Sequence, residues 1–239
     1  MLQNHSIILW RKSDDPRKTF KQIAEEAFVT LSVFQNFPRQ FRPNYIAISS
    51  VEKFQEVKWN YENFEKILRE GINKENNKTF ENLGYSIQMF SSLIDVESFS
   101  IQLRVGNKES IFYNTLVVEI PNTMNMLDLN NAELISDLFN QLAQGFVPFW
   151  GCVSNKAMMR KYKRYLINGK PTTVHWLNYW GEDIQKVIGH EYIKDILEKY
   201  SDISFERNIF KIQKKSFDIE DHVSMEFHHD VEKMLRLGI

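Results

Sequence analysis

His222, Glu226 and His229 recur at i, i+4 and i+7, so on a helix they share one face. Two imidazoles and a carboxylate so placed are an acceptable three-ligand metal site, and with a bound water they would support metal-dependent hydrolysis. The competing reading is a solvated polar face, because Val223, Phe227, Val231 and Met234 form an apolar stripe on the opposite side. Cys152 is the single cysteine. It would serve as a nucleophile beside a positioned base, yet its neighbours "FVPFWGCV" are apolar and read as the setting of a buried structural thiol. His190-Glu191 is not a zinc-protease motif, since Lys194 and Asp195 stand where the second histidine belongs. Neither a Gly-rich phosphate loop nor a GxSxG elbow occurs. Catalysis therefore has no motif behind it, and no cofactor is expected.

Charge is more informative. Leu138 to Gly181 contains no acidic residue but carries Lys156, Arg160, Lys161, Lys163, Arg164 and Lys170. Six cations there, against −1 overall, leave −7 for the remainder. The stretch suits phosphates or an acidic protein surface, or it is a solvated segment. The balance of 30 basic and 31 acidic residues excludes a uniformly basic nucleic-acid-binding surface, and no nucleic-acid-reading module is recognisable. Next comes "PTTVHWLNYWG", residues 171–181, with His175, Trp176, Tyr179 and Trp180. Read as a strand, it carries large groups on both faces. Trp176 is expected in the core, His175 as a structural histidine, and Tyr179 and Trp180 at a partner-facing surface.

The elements that must position these residues can be read from periodicity. "SIILW" is a buried strand, and "NYIAI" is a second. "DDPRKTFKQIAEEAFVTLSVF" is an amphipathic helix with Asp14 or Asp15 as N-cap and Pro16 at its first turn. "EKFQEVKWNYENFEKILREG" repeats helical spacing up to Gly71. The period then becomes two through Tyr85–Leu93 and Phe99–Val105. "VGNKES" reads as a hairpin turn and "IFYNTLVVEIP" as a third strand, which makes an antiparallel meander. "LDLNNAELISDLFNQLAQGF" is a helix capped by Asn130 or Asn131. "EDIQKVIG", "EYIKDILEKY" and 219–237 are further helices, and "NIFKI" is a strand. With 43% hydrophobic residues and only 9 Gly and 6 Pro, the 239-residue chain reads as one globular α+β domain over 1–239. The expected architecture is a mostly antiparallel sheet with helices on one face, and the recurring strand–helix pairs hint at two similar halves. No disulfide, signal peptide or membrane span is expected, which points to a cytoplasmic protein.

The order of "GYSIQMFSS", "NTLVVEIP", "FVPFWGCVSN" and "GKPTTVHWLNYWGEDIQKVIG" resembles the bacterial immunity proteins of polymorphic toxin systems, in particular immunity protein family fifty-two, over about residues 6–190. Residues 195–239 form an extension outside that likeness. The resemblance implies a non-enzymatic cytoplasmic protein that neutralises a cognate toxin by binding it. Arg160, Lys161, Lys163, Arg164, Tyr179 and Trp180 are the expected partner-binding residues. The alternatives are a metal-dependent hydrolase using His222, Glu226 and His229, and a phosphate-backbone binder through 156–170.

Overall fold

The computed structural model describes residues 4–48, 53–75, 78–161 and 165–237, with the side chains of Ile48, Lys53, Glu75, Met159, Arg160 and Lys161 outside that description. The chain begins with β1 (His5–Arg11) and α1 (Phe20–Ser32), followed by β2 (Tyr45–Ile48), β3 (Lys53–Glu56) and α2 (Tyr61–Glu70). A small ribbon, β4 (Lys74–Glu75) with β5 (Lys78–Thr79), precedes the meander of β6 (Leu83–Phe90), β7 (Ser100–Asn107) and β8 (Asn114–Glu119). Then come α3 (Leu129–Phe146), β9 (Trp150–Asn155) and α4 (Lys156–Lys161). A second ribbon, β10 (Leu166–Ile167) with β11 (Lys170–Pro171), leads to β12 (Leu177–Trp180). Last are α5 (Glu182–Ile188), α6 (His190–Lys199), β13 (Ser204–Glu206), β14 (Ile209–Lys211) and α7 (His222–Met234). The fold is α+β.

One ten-stranded antiparallel sheet runs in the order β13-β14-β12-β9-β1-β8-β7-β6-β2-β3. The first strand in the chain is thus central, paired with β8 on one side and β9 on the other. Its run of buried Ile7, Ile8 and Leu9 follows from having neighbours on both edges and cover on both faces.

The β6–β7–β8 half behaves as alternation dictates. Tyr85, Ile87, Met89, Ile101, Leu103, Val105, Leu116 and Val118 are buried on one face, where Phe20 of α1 meets Tyr85 at 4.9 Å. Ser86, Gln88, Gln102 and Arg104 stand exposed on the other. The β9–β12 half departs from the one-faced expectation. Gly151, Val153 and Leu177 lie on the side continuous with Leu9, while Trp150, Cys152, Asn178 and Trp180 lie on the opposite side, and all are buried. Here the second face is covered by Tyr165 and His175, whose rings touch Trp150, and α5 packs beside β11 and β12. Gly151 is required by this packing: a Cβ there would sit 2.5 Å from Leu9 Cδ2 and 2.9 Å from the Ile8 carbonyl.

Several boundaries differ from expectation for local reasons. Thr19, not Asp14 or Asp15, caps α1, in a reciprocal capping box with Gln22. Asp14 instead becomes a buried hub. Its carboxylate accepts from Arg11 at 3.2 Å, Lys18 at 3.0 Å, the Gly106 amide at 3.1 Å and Asn114 at 3.1 Å. That hub holds the turn after β1 against the end of β7, where Gly106 adopts φ +78°. Gly106 and Asn107 therefore end the strand, and the turn comes later in the chain. Asp128 caps α3, one turn before the expected asparagines. The expected helix over "EKFQEVKW" is split: Lys53–Glu56 pairs with β2, and Asn60 caps a helix that starts only at Tyr61.

Candidate functional site

Of the aromatic stretch, only Leu177–Trp180 is a full strand of the main sheet; residues 172–176 pack beneath it as irregular chain. Asn178 explains the break. Its side chain accepts from the His175 amide at 2.9 Å and donates to the His175 carbonyl at 2.7 Å, which folds the chain back locally. Trp10, Trp150 and Trp180 stand directly opposite one another on β1, β9 and β12. Trp180 is fully buried and stacks on Phe210 at 4.4 Å, so its expected place on a partner-facing surface is corrected to the core. The cause is the second covered face, which encloses side chains that an exposed edge would have left free. Trp176 is core as expected, with its indole N–H donating to the Gln213 carbonyl at 2.9 Å. Tyr179 is half-buried, its hydroxyl accepting from Asn208 at 3.3 Å. His175 is buried with Nε2 lacking a hydrogen-bond partner among the described residues. Burial, then the neighbouring His228, pushes its pKa down to about 3, so the ring is neutral. Burial likewise raises the Cys152 thiol well above its ordinary value, which leaves it unreactive.

Both cations between Leu138 and Gly181 whose side chains are described have internal partners. Lys156 pairs with Glu119 at 3.3 Å, and Lys170 donates to the Arg236 carbonyl at 2.7 Å. Arg160 and Lys161 close α4, while Lys163 and Arg164 lie outside the described residues.

The expected metal set is not brought together. His222 and Glu226 are exposed by 84% and 68% and face each other at 3.4 Å in solvent, whereas His229 turns to Glu232 at 2.9 Å. The reason is helical geometry: α7 forms as expected, but His229 lies about 10 Å further along its axis than His222. What α7 does gather is His228, His229 and Glu232, whose ligand atoms all lie within 4.8 Å of one another. Thr173 donates to Glu232 Oε1, and His228 Nε2 meets the Val174 carbonyl at 2.8 Å. Sequence reading missed this group because Thr173 is distant in the chain and the heptad-like spacing favoured residues one turn apart. The adjacent His228-His229 pair was the available signal.

A second feature lies at the start of β9. Ile111, Phe112 and Tyr113, read as the start of a strand, instead form the exposed turn before β8. Tyr113 stacks on Trp10 at 5.7 Å and meets Phe149 at 5.2 Å. Val147 is 64% exposed and holds φ +50°, a left-handed conformation that β-branched residues avoid. It shares a shallow hollow with Pro148, Phe149 and Tyr179, rimmed by Arg11, Lys12, Glu182 and Asp183. A larger groove of about 610 Å³ separates α3 from the β13–β14 edge, with Glu133, Asp137 and Glu206 facing Arg207 and Lys211.

No family model matches the chain, and no curated protein matches it. Among solved structures, the chain is similar in fold to the Pseudomonas aeruginosa T6SS protein PA0821. The TM-score is 0.64 at 10% identity, over 98% of this chain and 76% of that one. Among the described residues no helix is long and apolar enough to cross a membrane.

Proposed function

We propose that this protein is a non-enzymatic, cytoplasmic immunity protein that binds and neutralises a secreted bacterial toxin. The carrying observation is the fold shared along nearly its whole length with a type VI secretion protein. Its surface is compatible with that role. Ile111, Phe112, Tyr113 and Val147 are exposed apolar side chains, and Tyr113 rests on the rings of Trp10 and Phe149. Held aromatic anchors of this kind supply most of the energy of a standard interface of roughly 1,600 Å². Tyr179 belongs to the same region. Arg160, Lys161, Lys163 and Arg164 would speed encounter with an acidic toxin face.

The test is co-expression with each toxin domain secreted by the source strain, followed by titration of purified pairs. One toxin is expected to lose its growth-inhibiting effect and to bind one-to-one. Ile111→Asp with Phe112→Asp should weaken that binding at least about 10-fold, and charge reversal at Arg160 and Arg164 should slow association. Rescue from no toxin, or salt-sensitive retention of nucleic acid instead, overturns the reading.

A further inference from the structure

We propose that His228, His229 and Glu232 of α7 bind one zinc ion, with the chain entering β12 supporting the ligands through Thr173 and Val174. His228 is fully buried. A backbone carbonyl only accepts, so the 2.8 Å contact with Val174 places the ring hydrogen on Nε2. In the neutral ring, Nδ1 then carries the lone pair, and it points at Glu232 Oε2, 3.6 Å away. His229 Nδ1 hydrogen-bonds the same oxygen at 2.9 Å, so it becomes a ligand when zinc takes that place and the ring hydrogen moves to Nε2. Three ligand atoms thus lie within 4.8 Å of one another, and the two separations to Glu232 Oε2, 2.9 and 3.6 Å, bracket the ~3.3 Å edge of a tetrahedron drawn around zinc with ordinary bond lengths.

The surroundings match what metal ligands require. A ligating histidine ordinarily gives its other ring N–H to a carbonyl or carboxylate, and His228 gives it to Val174. A ligating carboxylate is ordinarily held through its second oxygen, and the Thr173 hydroxyl holds Glu232 Oε1. Both supports come from the same dipeptide, which sits just before β12. Glu232 is 7% exposed, while the His229 side chain is 43% exposed. The His229 side of the group thus reaches solvent, and zinc would take a water there as its fourth ligand. Two imidazoles and one carboxylate suit zinc rather than calcium or magnesium, which take oxygen ligands. This inference does not rest on the immunity role, since none of the three ligands is among the residues assigned to the toxin-facing surface.

The full chain, stripped with chelator and dialysed, is titrated with Zn²⁺ at pH 7.5 by calorimetry, and with Co²⁺ by visible absorption. One equivalent should bind, with the intense d–d bands of a four-coordinate ion, and zinc should raise Tm. His229→Ala, at a half-exposed position that leaves the fold intact by circular dichroism, should weaken binding at least about 100-fold. Thr173→Val should weaken it about 10–100-fold. His222→Ala should leave it unchanged. Absence of saturable binding at about 100 µM metal overturns the proposal. So does affinity that survives His229→Ala, or that disappears with His222→Ala, because the ion would then sit on the exposed turn of α7.

Discussion

The two halves of the sheet use the same antiparallel ladder to different ends. Across β6, β7 and β8, one face meets the helices and the other meets water, so polar side chains such as Gln88 and Gln102 need no protein partner. Across β9 and β12, both faces are closed. Every polar group there must be answered inside the fold, and Asn178 is answered by His175 and Phe210 backbone groups. His175 shows the limit of that arrangement, because its neutral ring is accommodated without a bond at Nε2. The open half tolerates change, and the closed half concentrates both stability and pH sensitivity.

That contrast can be broken at three depths. Trp180→Ala removes a fully buried indole from the closed half and should cost about 3–5 kcal/mol in urea unfolding. A loss under about 1 kcal/mol would mean that the second face is not sealed. The next effect is acid sensitivity. Burial holds the folded-state pKa of His175 near 3, below its ordinary 6.5. As pH falls, the unfolded chain takes the proton first, so stability present above pH 6.5 drains away toward pH 3. Relative to His175→Leu, the native protein should lose up to ~1.4 kcal/mol more per pH unit below about 6.5. Parallel stability curves for the two would remove the closed half as the source of acid sensitivity. The smallest effect is Gln102→Ala on the open face, expected within about 0.5 kcal/mol of native stability. A larger cost would show that something covers that face.

The same contrast governs how much could be read from the chain alone. Alternation through Tyr85–Met89 and Phe99–Val105 revealed the open half directly, because one face is wet and the period of two survives. The stripes of α1 and α3 were equally plain, whereas α7 buries His228, Val231 and Glu232 and leaves Val223 exposed. In the closed half both sides of the strand are apolar, so periodicity no longer says which way a side chain points. Trp180 was assigned to the surface for that reason. The capping residues were misplaced by local competition. Asp14 resembles a cap until its long-range partners Gly106 and Asn114 are known, and those are 92 and 100 residues away. The histidine group needed the same kind of knowledge, since Thr173 and Val174 approach His228 only in the folded chain.

The central position of β1 has a cost at the ribosome. This strand emerges early, yet its partners β8 and β9 begin at Asn114 and Trp150. At ordinary elongation rates of about 5–20 residues per second, "SIILW" waits roughly 7–28 seconds for its second neighbour. During that interval a sticky segment with two open edges is exposed to other nascent chains. Production in the cell should therefore depend more on chaperone supply than refolding of the finished protein does.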